Sequence, residues 1–230
     1  MTYRTVLLFD FGGTLDADGE RWAERFHHAY VAAGGRLALE AFEPLFRQSD
    51  RQLELEPATR TLGFRAMIEA QAELLAGLLP DGRSIDSGRV VERFHRSALE
   101  VVQRNRGVLQ RLARHYRLGV VSNFMGNLDR CLMDLELLPF FRVIADSALV
   151  GWAKPDPRIF QFALDTLDAG AHDAWMIGDN VEADIRPAAA LGLCTCWLAP
   201  PERAAPIGLV PTGRIARLTD LPDLLRACTD

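Results

Sequence analysis

Asp10 follows the apolar run Val6-Leu7-Leu8-Phe9 and precedes Phe11-Gly12-Gly13-Thr14-Leu15. Ser122-Asn123 follows a second run, Leu118-Gly119-Val120-Val121, and Lys154 stands in Gly151-Trp152-Ala153-Lys154-Pro155. Gly178-Asp179-Asn180 follows Trp175-Met176-Ile177, with Asp184 five residues beyond Asp179. These stretches supply three carboxylates, a hydroxyl and an ammonium. A carboxylate can attack phosphorus and form an acyl phosphate, splitting one hard displacement into two. Gathered carboxylates repel each other, and a hard divalent cation such as Mg²⁺ relieves that repulsion while bridging to phosphate oxygens. The glycines after Asp10, Gly13 among them, let the backbone approach a ligand closely, and their N–H groups can cradle oxyanions. Ser122, with Asn123 beside it, and Lys154 add neutral and charged donors for a transferring group. Singly, each residue has a plainer reading as a turn former, a helix cap or a solvated lysine. Capping does not explain why they stand in order at successive strand ends.

Those strand ends require a particular scaffold. The apolar runs at 6–9, 118–121, 143–145, 175–177 and 194–198 predict buried strands, with a weaker sixth over 215–218. Helix-like stretches at 128–138, 158–167, 184–191 and 221–228 alternate with the later strands. The pattern predicts an α/β fold with a doubly wound, mostly parallel, Rossmann-like sheet. Ligands in such sheets bind beyond the carboxyl ends of the strands, where the candidate residues stand.

Residues 16–103 break the alternation and contain no convincing strand. Helical periodicity runs through Trp22, Phe26, Tyr30 and Ala33, through Phe64, Met67, Ile68, Leu74 and Leu75, and through Val90, Val91, Phe94 and Leu99. The expected organisation is an α/β core of residues 1–15 and 104–230 with a helical bundle, 16–103, inserted after the first strand. Residues 106–116 are the expected helix of return, and 200–211 a loop rich in Pro and Ala.

Composition narrows the function. Among 230 residues, 26 basic side chains stand against 31 acidic ones, a net charge of −5. That balance argues against nucleic acid or an anionic membrane as partner. No apolar run approaches the ~20 residues that span a bilayer. The chain enters its first strand directly, without the pattern of a secretion signal, and its four cysteines lack zinc spacing. A reduced cytoplasm is the expected location. Of the basic residues 25 are Arg and one is Lys, Lys154, which suggests a position where arginine does not serve.

The four stretches resemble the four motifs of the haloacid dehalogenase superfamily, most of whose members are phosphatases. Asp10 to Leu15 matches Asp-x-Asp-x-Thr-Leu/Val with one departure, and Ser122 matches the strand-end Ser/Thr. Lys154 to Phe160 matches Lys-Pro-Asp-Pro-x-Ile-Phe, and Gly178 to Ile185 matches Gly-Asp-x-x-x-x-Asp-Ile. The insert resembles that family's helical cap. The resemblance implies Asp10 as nucleophile, Ser122 and Lys154 as catalytic partners, and Gly13, Asn123 and Lys154 as phosphate-binding. It implies Mg²⁺ held by Asp10, the carbonyl of Gly12, Asp179 and Asp184, acting on small phosphorylated metabolites.

The departure is Gly12, where family phosphatases place a second aspartate that protonates the leaving alkoxide and later activates water. Asp16, Asp18, Glu20, His27 and His28 are candidate replacements, and a substrate with a good leaving group needs little proton assistance. Two non-phosphatase branches of the family also lack that aspartate. Phosphonate hydrolases use a cap lysine, and here the sole lysine stands in the third motif. The 2-haloacid dehalogenases expel halide without a proton and without metal, but generally lack the Gly-Asp of the fourth motif. Dehalogenase chemistry, and a non-catalytic protein that binds a phospholigand or a partner, remain the alternatives.

Overall fold

In a computed structural model, which describes residues 5–228, the four apolar residues of β1 (Val6–Phe9) are fully buried at the centre of a six-stranded sheet. The other strands are β2 (Arg117–Ser122), β3 (Phe141–Asp146), β4 (Ala174–Gly178), β5 (Cys194–Leu198) and β6 (Gly213–Ile215). All pair in parallel, in the order β3-β2-β1-β4-β5-β6. Strands buried on both faces have no polar face to alternate with, which is why they read as continuous apolar runs. β6 begins two residues before the stretch expected for it and shares only Ile215 with that stretch. Leu218 is buried in a 3₁₀ turn rather than in the sheet, and Arg214 lies over the Trp197 ring, 4.5 Å from its centroid.

Register explains the convergence of the motifs. Phe9 stands opposite Val120 on one side and Ile177 on the other. One residue further along the chain is Asp10, whose N–H donates to Ile177 O at 2.9 Å. Two residues beyond Val120 is Ser122, and two beyond Ile177 is Asp179. The chain reverses its winding direction between β1 and β4, and a crevice opens at the carboxyl end of such a switch point.

The insert contains α1 (Trp22–Ala32), α2 (Leu39–Leu55), α3 (Phe64–Leu78) and most of α4 (Ser87–Leu112). Two features differ from the sequence expectation. First, α4 is one helix of 26 residues, so the boundary expected at 103/104 and the separate helix expected at 106–116 both fall within or across it. Its buried residues Val90, Val91, Phe94, Ala98, Val102, Asn105, Val108, Leu109 and Leu112 recur every three or four positions without a break. Second, α2 was not among the three periodic stretches. It buries only Phe42, Phe46, Ser49 and Leu53 in a strongly charged segment, and it carries Pro44, which removes one intrahelical hydrogen bond. Packing retains it, as Gln71 Nε2 donates to the buried Ser49 Oγ at 2.8 Å.

The remaining helices are α5 (Leu128–Asp134), α6 (Ser147–Val150), α7 (Pro157–Thr166), α8 (Arg186–Ala190) and α9 (Leu221–Ala227). A π-helical turn, Val181–Ile185, precedes α8 and occupies the start of the helix expected from residue 184. The apolar core runs without interruption from the sheet into the insert. Phe11, next to Asp10, meets Phe124 at 5.4 Å, Phe64 at 6.1 Å and Trp22 at 6.3 Å between ring centroids, all edge to face. Each such pair adds ~0.5–1.5 kcal/mol beyond burial, so packing holds the insert over the strand ends. Among the described residues no helix is long and apolar enough to cross a membrane.

Candidate active site

Asp10 is buried at the tip of β1 and receives two donors on one oxygen. Ser122 Oγ donates to Oδ1 at 2.8 Å, and Lys154 Nζ lies 2.7 Å from the same atom. Among the described residues no donor meets Oδ2, which leaves that oxygen for a cation or a substrate. Lys154 Nζ also reaches Asp184 Oδ1 at 2.5 Å. The lone lysine is thus enclosed between two carboxylates, its side chain 2% exposed. Burial favours loss of its proton, but Asp10 and Asp184 outweigh burial and raise its pKa, so it remains an ammonium.

The fourth-motif carboxylates are fixed by the local backbone. Thr14 Oγ1 donates to Asp179 Oδ1 at 3.2 Å, and Trp197 Nε1 donates to the Asp179 carbonyl at 3.0 Å. The π-helical turn folds Asp184 back, so that Asp184 Oδ2 accepts from Asn180 N at 3.0 Å. A residue inserted into a helical turn re-aims a side chain, and such turns recur at functional sites. Carboxylate oxygens of Asp10, Asp179 and Asp184 lie within 4.8 Å of one another. Burial, then Asp10 and Asp184, push Asp179 well above the usual carboxylate range. Burial likewise raises Asp184, against the pull of Lys154. Three buried carboxylates and one ammonium leave a formal excess of two negative charges, which one divalent cation balances. An all-oxygen donor set also suits a hard cation such as Mg²⁺.

Two expected phosphate contacts take a different form. The Gly13 N–H donates to Asp16 Oδ1 at 2.8 Å, so it does not serve as a phosphate cradle. What Gly13 provides is room: with φ at +89°, a Cβ there would stand 2.6 Å from Asp179 Oδ1. The Asn123 amide is occupied on both sides by the main chain of Lys154. Nδ2 donates to Lys154 O at 2.9 Å, and Oδ1 accepts from Lys154 N at 2.6 Å. Asn123 therefore positions the lysine rather than offering a free donor to substrate.

The candidate replacements for the missing aspartate are also engaged elsewhere. Asp16 is fully buried, accepting from Gly13 N and Trp22 Nε1 and pairing with Arg25 at 2.6 Å. Asp18 pairs with Arg104 at 2.5 Å, Glu20 with His28 at 2.6 Å, and the His27 ring bonds Leu37 O at 2.8 Å. None of these five lines the cavity over Asp10. That cavity, of about 310 Å³, is bounded on the strand side by Asp10, Gly12, Ser122, Asn123, Lys154 and Asp179. On the insert side it meets Arg21, Trp22, Glu43, Phe46, Arg47 and Asp50. Four of those six lie on α2, so the helix hidden from sequence reading supplies most of that wall. Two arginines, Arg21 and Arg47, stand in that wall.

A family model described as haloacid dehalogenase-like hydrolase matches residues 5–192. The chain belongs to the haloacid dehalogenase-like hydrolases. Among curated proteins it is 30% identical over 149 residues to the pyrimidine 5'-nucleotidase YjjG of Escherichia coli (strain K12), a match covering 62% of this chain and 65% of that one. It thus spans just under two thirds of that relative's length. Among solved structures it resembles the magnesium-bound HAD-hydrolase YfnB of Bacillus subtilis, with a TM-score of 0.58 at 21% identity, covering 97% of this chain and 99% of that one. It also resembles the 2-haloacid dehalogenase of Pseudomonas syringae pv. Tomato DC3000, with a TM-score of 0.55 at 24% identity over 97% and 99%. At these identities the two structures share the fold, and the fold alone does not separate phosphate from halide chemistry.

In this hydrolase the space beside Gly12 is filled. A Cβ at residue 12 would stand 3.0 Å from Trp22 Nε1 and 3.2 Å from Trp22 Cδ1. Trp22 cannot easily yield: its N–H is held by Asp16 at 2.9 Å, and its ring packs on Phe94, Phe124, Phe64 and Phe11. Restoring the family aspartate by Gly12→Asp is therefore expected to lower stability by about 1–3 kcal/mol, the cost of overpacking. It should bring no gain in hydrolysis. Thermal melting and turnover of the variant check this, and a clear gain in rate at unchanged melting temperature would contradict it.

Proposed function

We propose that this hydrolase is a Mg²⁺-dependent phosphatase of small phosphorylated metabolites, working through an aspartyl-phosphate on Asp10. The observation that carries the reading is the gathering of Asp10, Asp179 and Asp184 within 4.8 Å around a buried lysine. Displacement of halide by one carboxylate does not call for two further buried carboxylates, whereas a phosphate dianion entering a negative pocket needs a counter-charge. Asp10, Asp179, Asp184 and the Gly12 carbonyl are the groups that would hold Mg²⁺, which supplies that counter-charge and polarises the phosphoryl group.

The chain's own groups perform the rest. Ser122 and Lys154 hold Asp10 by Oδ1, which turns Oδ2 into the attacking atom without a further search of rotamers. Asn123 fixes the lysine by its backbone, while Thr14 and Trp197 fix Asp179. A cavity near 310 Å³ sits at the lower end of the usual range for small-molecule sites, in keeping with a metabolite rather than a polymer. The reading places the enzyme in the cytoplasm, supported by four free thiols, three of them buried.

A phosphate-release screen over phosphorylated metabolites tests it, run with Mg²⁺ and with EDTA beside a halide-release assay on 2-haloacids. Phosphate should appear only with the cation, at least ~10²-fold above the EDTA control, the scale expected from loss of a principal electrostatic stabiliser. Halide release that persists in EDTA would overturn the assignment in favour of dehalogenation.

A further inference from the structure

The cavity has one acid that nothing else employs. Glu43, Phe46, Arg47 and Asp50 follow one another at helical spacing, so a single face of α2 lies over Asp10. Around the mouth Arg21 pairs with Glu24 at 2.7 Å and with Glu43 at 3.1 Å, and Arg47 lies 3.6 Å from Glu43. Asp50, half-buried in the same wall, has no hydrogen bond or ion pair among the described residues. A carboxyl group without a hydrogen-bond or ion-pair partner, lining the cavity that Asp10 also lines, is free to exchange a proton with whatever enters.

We propose that Asp50 is the general acid and base of this hydrolase, taking the proton-transfer role that Gly12 cannot fill and that Trp22 bars from being restored there. The inference rests on the phosphoryl-transfer reading above. In the first step Asp10 Oδ2 bonds to phosphorus as the bond from phosphorus to the leaving oxygen breaks. That oxygen departs as an alcohol with the Asp50 proton. In the second step water attacks the same phosphorus and gives its proton to Asp50. The bond from phosphorus to Asp10 breaks, returning the Asp10 carboxylate, the Asp50 acid and inorganic phosphate.

The surroundings of Asp50 suit both halves of that cycle. Burial first, then Glu54, push its pKa up to about 6, against the pull of Arg51. A group poised there is present in both forms near neutrality, where acid and base steps must alternate. The charged groups that share its wall or helix are Arg21, Glu40, Glu43, Arg47, Arg51 and Glu54, with Asp10, Lys154 and Asp179 across the cavity. α3 meets α2 through the neutral Gln71–Ser49 hydrogen bond.

The test is Asp50→Asn assayed on two esters, an alkyl phosphate turned over by the wild type and 2,4-dinitrophenyl phosphate, whose leaving group needs no proton. On the alkyl ester kcat/KM should fall ~10²–10⁴-fold, the usual contribution of a positioned acid–base group. On the aryl ester kcat/KM should be nearly unchanged, with a burst of about one dinitrophenolate per enzyme and slow turnover afterwards, because water activation is also lost. The wild-type kcat/KM for the alkyl ester should decline as pH rises through the Asp50 pKa, and the variant should lack that limb. Equal losses on both esters would reduce Asp50 to a positioning residue, and an alkyl rate close to wild type would remove it from the mechanism. Because both esters are read in one variant, a partly unfolded preparation cannot imitate the expected contrast. If instead the wild type releases phosphate from neither ester, the phosphatase reading itself fails and takes this inference with it.

Discussion

Asp10→Asn is expected to lower phosphate release by on the order of 10⁴-fold or more, as loss of a covalent nucleophile does, while leaving the fold intact. The reason lies in how the two carboxylate oxygens are used. Oδ1 accepts from Ser122 and faces the Lys154 ammonium, so an amide at this position keeps its oxygen there. Its NH₂ group then occupies the place of Oδ2, the atom that must attack phosphorus and face the cation. The same geometry predicts the stability. Asp10 is one of the charges that push Asp179 and Asp184 upward, so removing it relieves repulsion among buried carboxylates. Lys154 keeps Asp184 as its partner at 2.5 Å. The melting temperature in EDTA should be no lower than in wild type, while the stabilisation conferred by added Mg²⁺ should shrink. Scanning calorimetry with and without the cation, beside single-turnover phosphate release, checks both halves. A variant that still turns over steadily would remove Asp10 from the role of nucleophile.

The strand ends that make this site could be read from the chain because parallel strands announce themselves twice. They are apolar throughout, and in a parallel sheet their carboxyl ends share one edge. Asp10, Ser122 and Asp179 therefore stand at the carboxyl ends of β1, β2 and β4, where the apolar pattern alone puts them. The register that unites them, with Phe9 between Val120 and Ile177, needs only equal stagger of neighbouring strands.

What could not be read lies on the insert side, where the signal is different in kind. α2 is held by four buried residues in a charged, proline-bearing segment, so its periodicity is set by the partners it packs against rather than by its own composition. Nothing in the sequence singles out Asp50, for the same reason. Asp16, three residues past the glycine pair in the first motif, looked available and is consumed by Trp22, Arg25 and the Gly13 N–H. Sequence spacing shows which groups can reach an edge. Whether a group remains free there depends on who else has claimed its hydrogen bonds, and that is a property of the packed state.

The lone lysine allows the sharpest separation of charge from shape. Lys154→Arg keeps the positive charge, so any requirement for net charge alone is met. The site, however, holds Nζ 2.7 Å from Asp10 and 2.5 Å from Asp184, with the side chain almost wholly enclosed. One compact ammonium serves two carboxylates there from a single atom. A planar guanidinium is longer and wider, and it directs its donors in a fixed fork rather than toward two converging oxygens. To fit, it must displace Asp10 from attack geometry or push the Lys154-Pro155 segment off the Asn123 amide. Displacement by about 1 Å costs ~10²-fold in rate, so a loss of on the order of 10²–10³-fold is expected, with ~1–3 kcal/mol of stability lost to overpacking. Lys154→Met tests the complementary half. It nearly keeps the volume but leaves Asp10 and Asp184 without their shared cation, and breaking such a buried pair costs roughly 3–5 kcal/mol. The arginine variant should therefore be the more stable of the two in EDTA and still be nearly inactive. If arginine supports wild-type turnover and melting, the site makes no demand on shape, and the survival of a single lysine among 25 arginines has no structural cause.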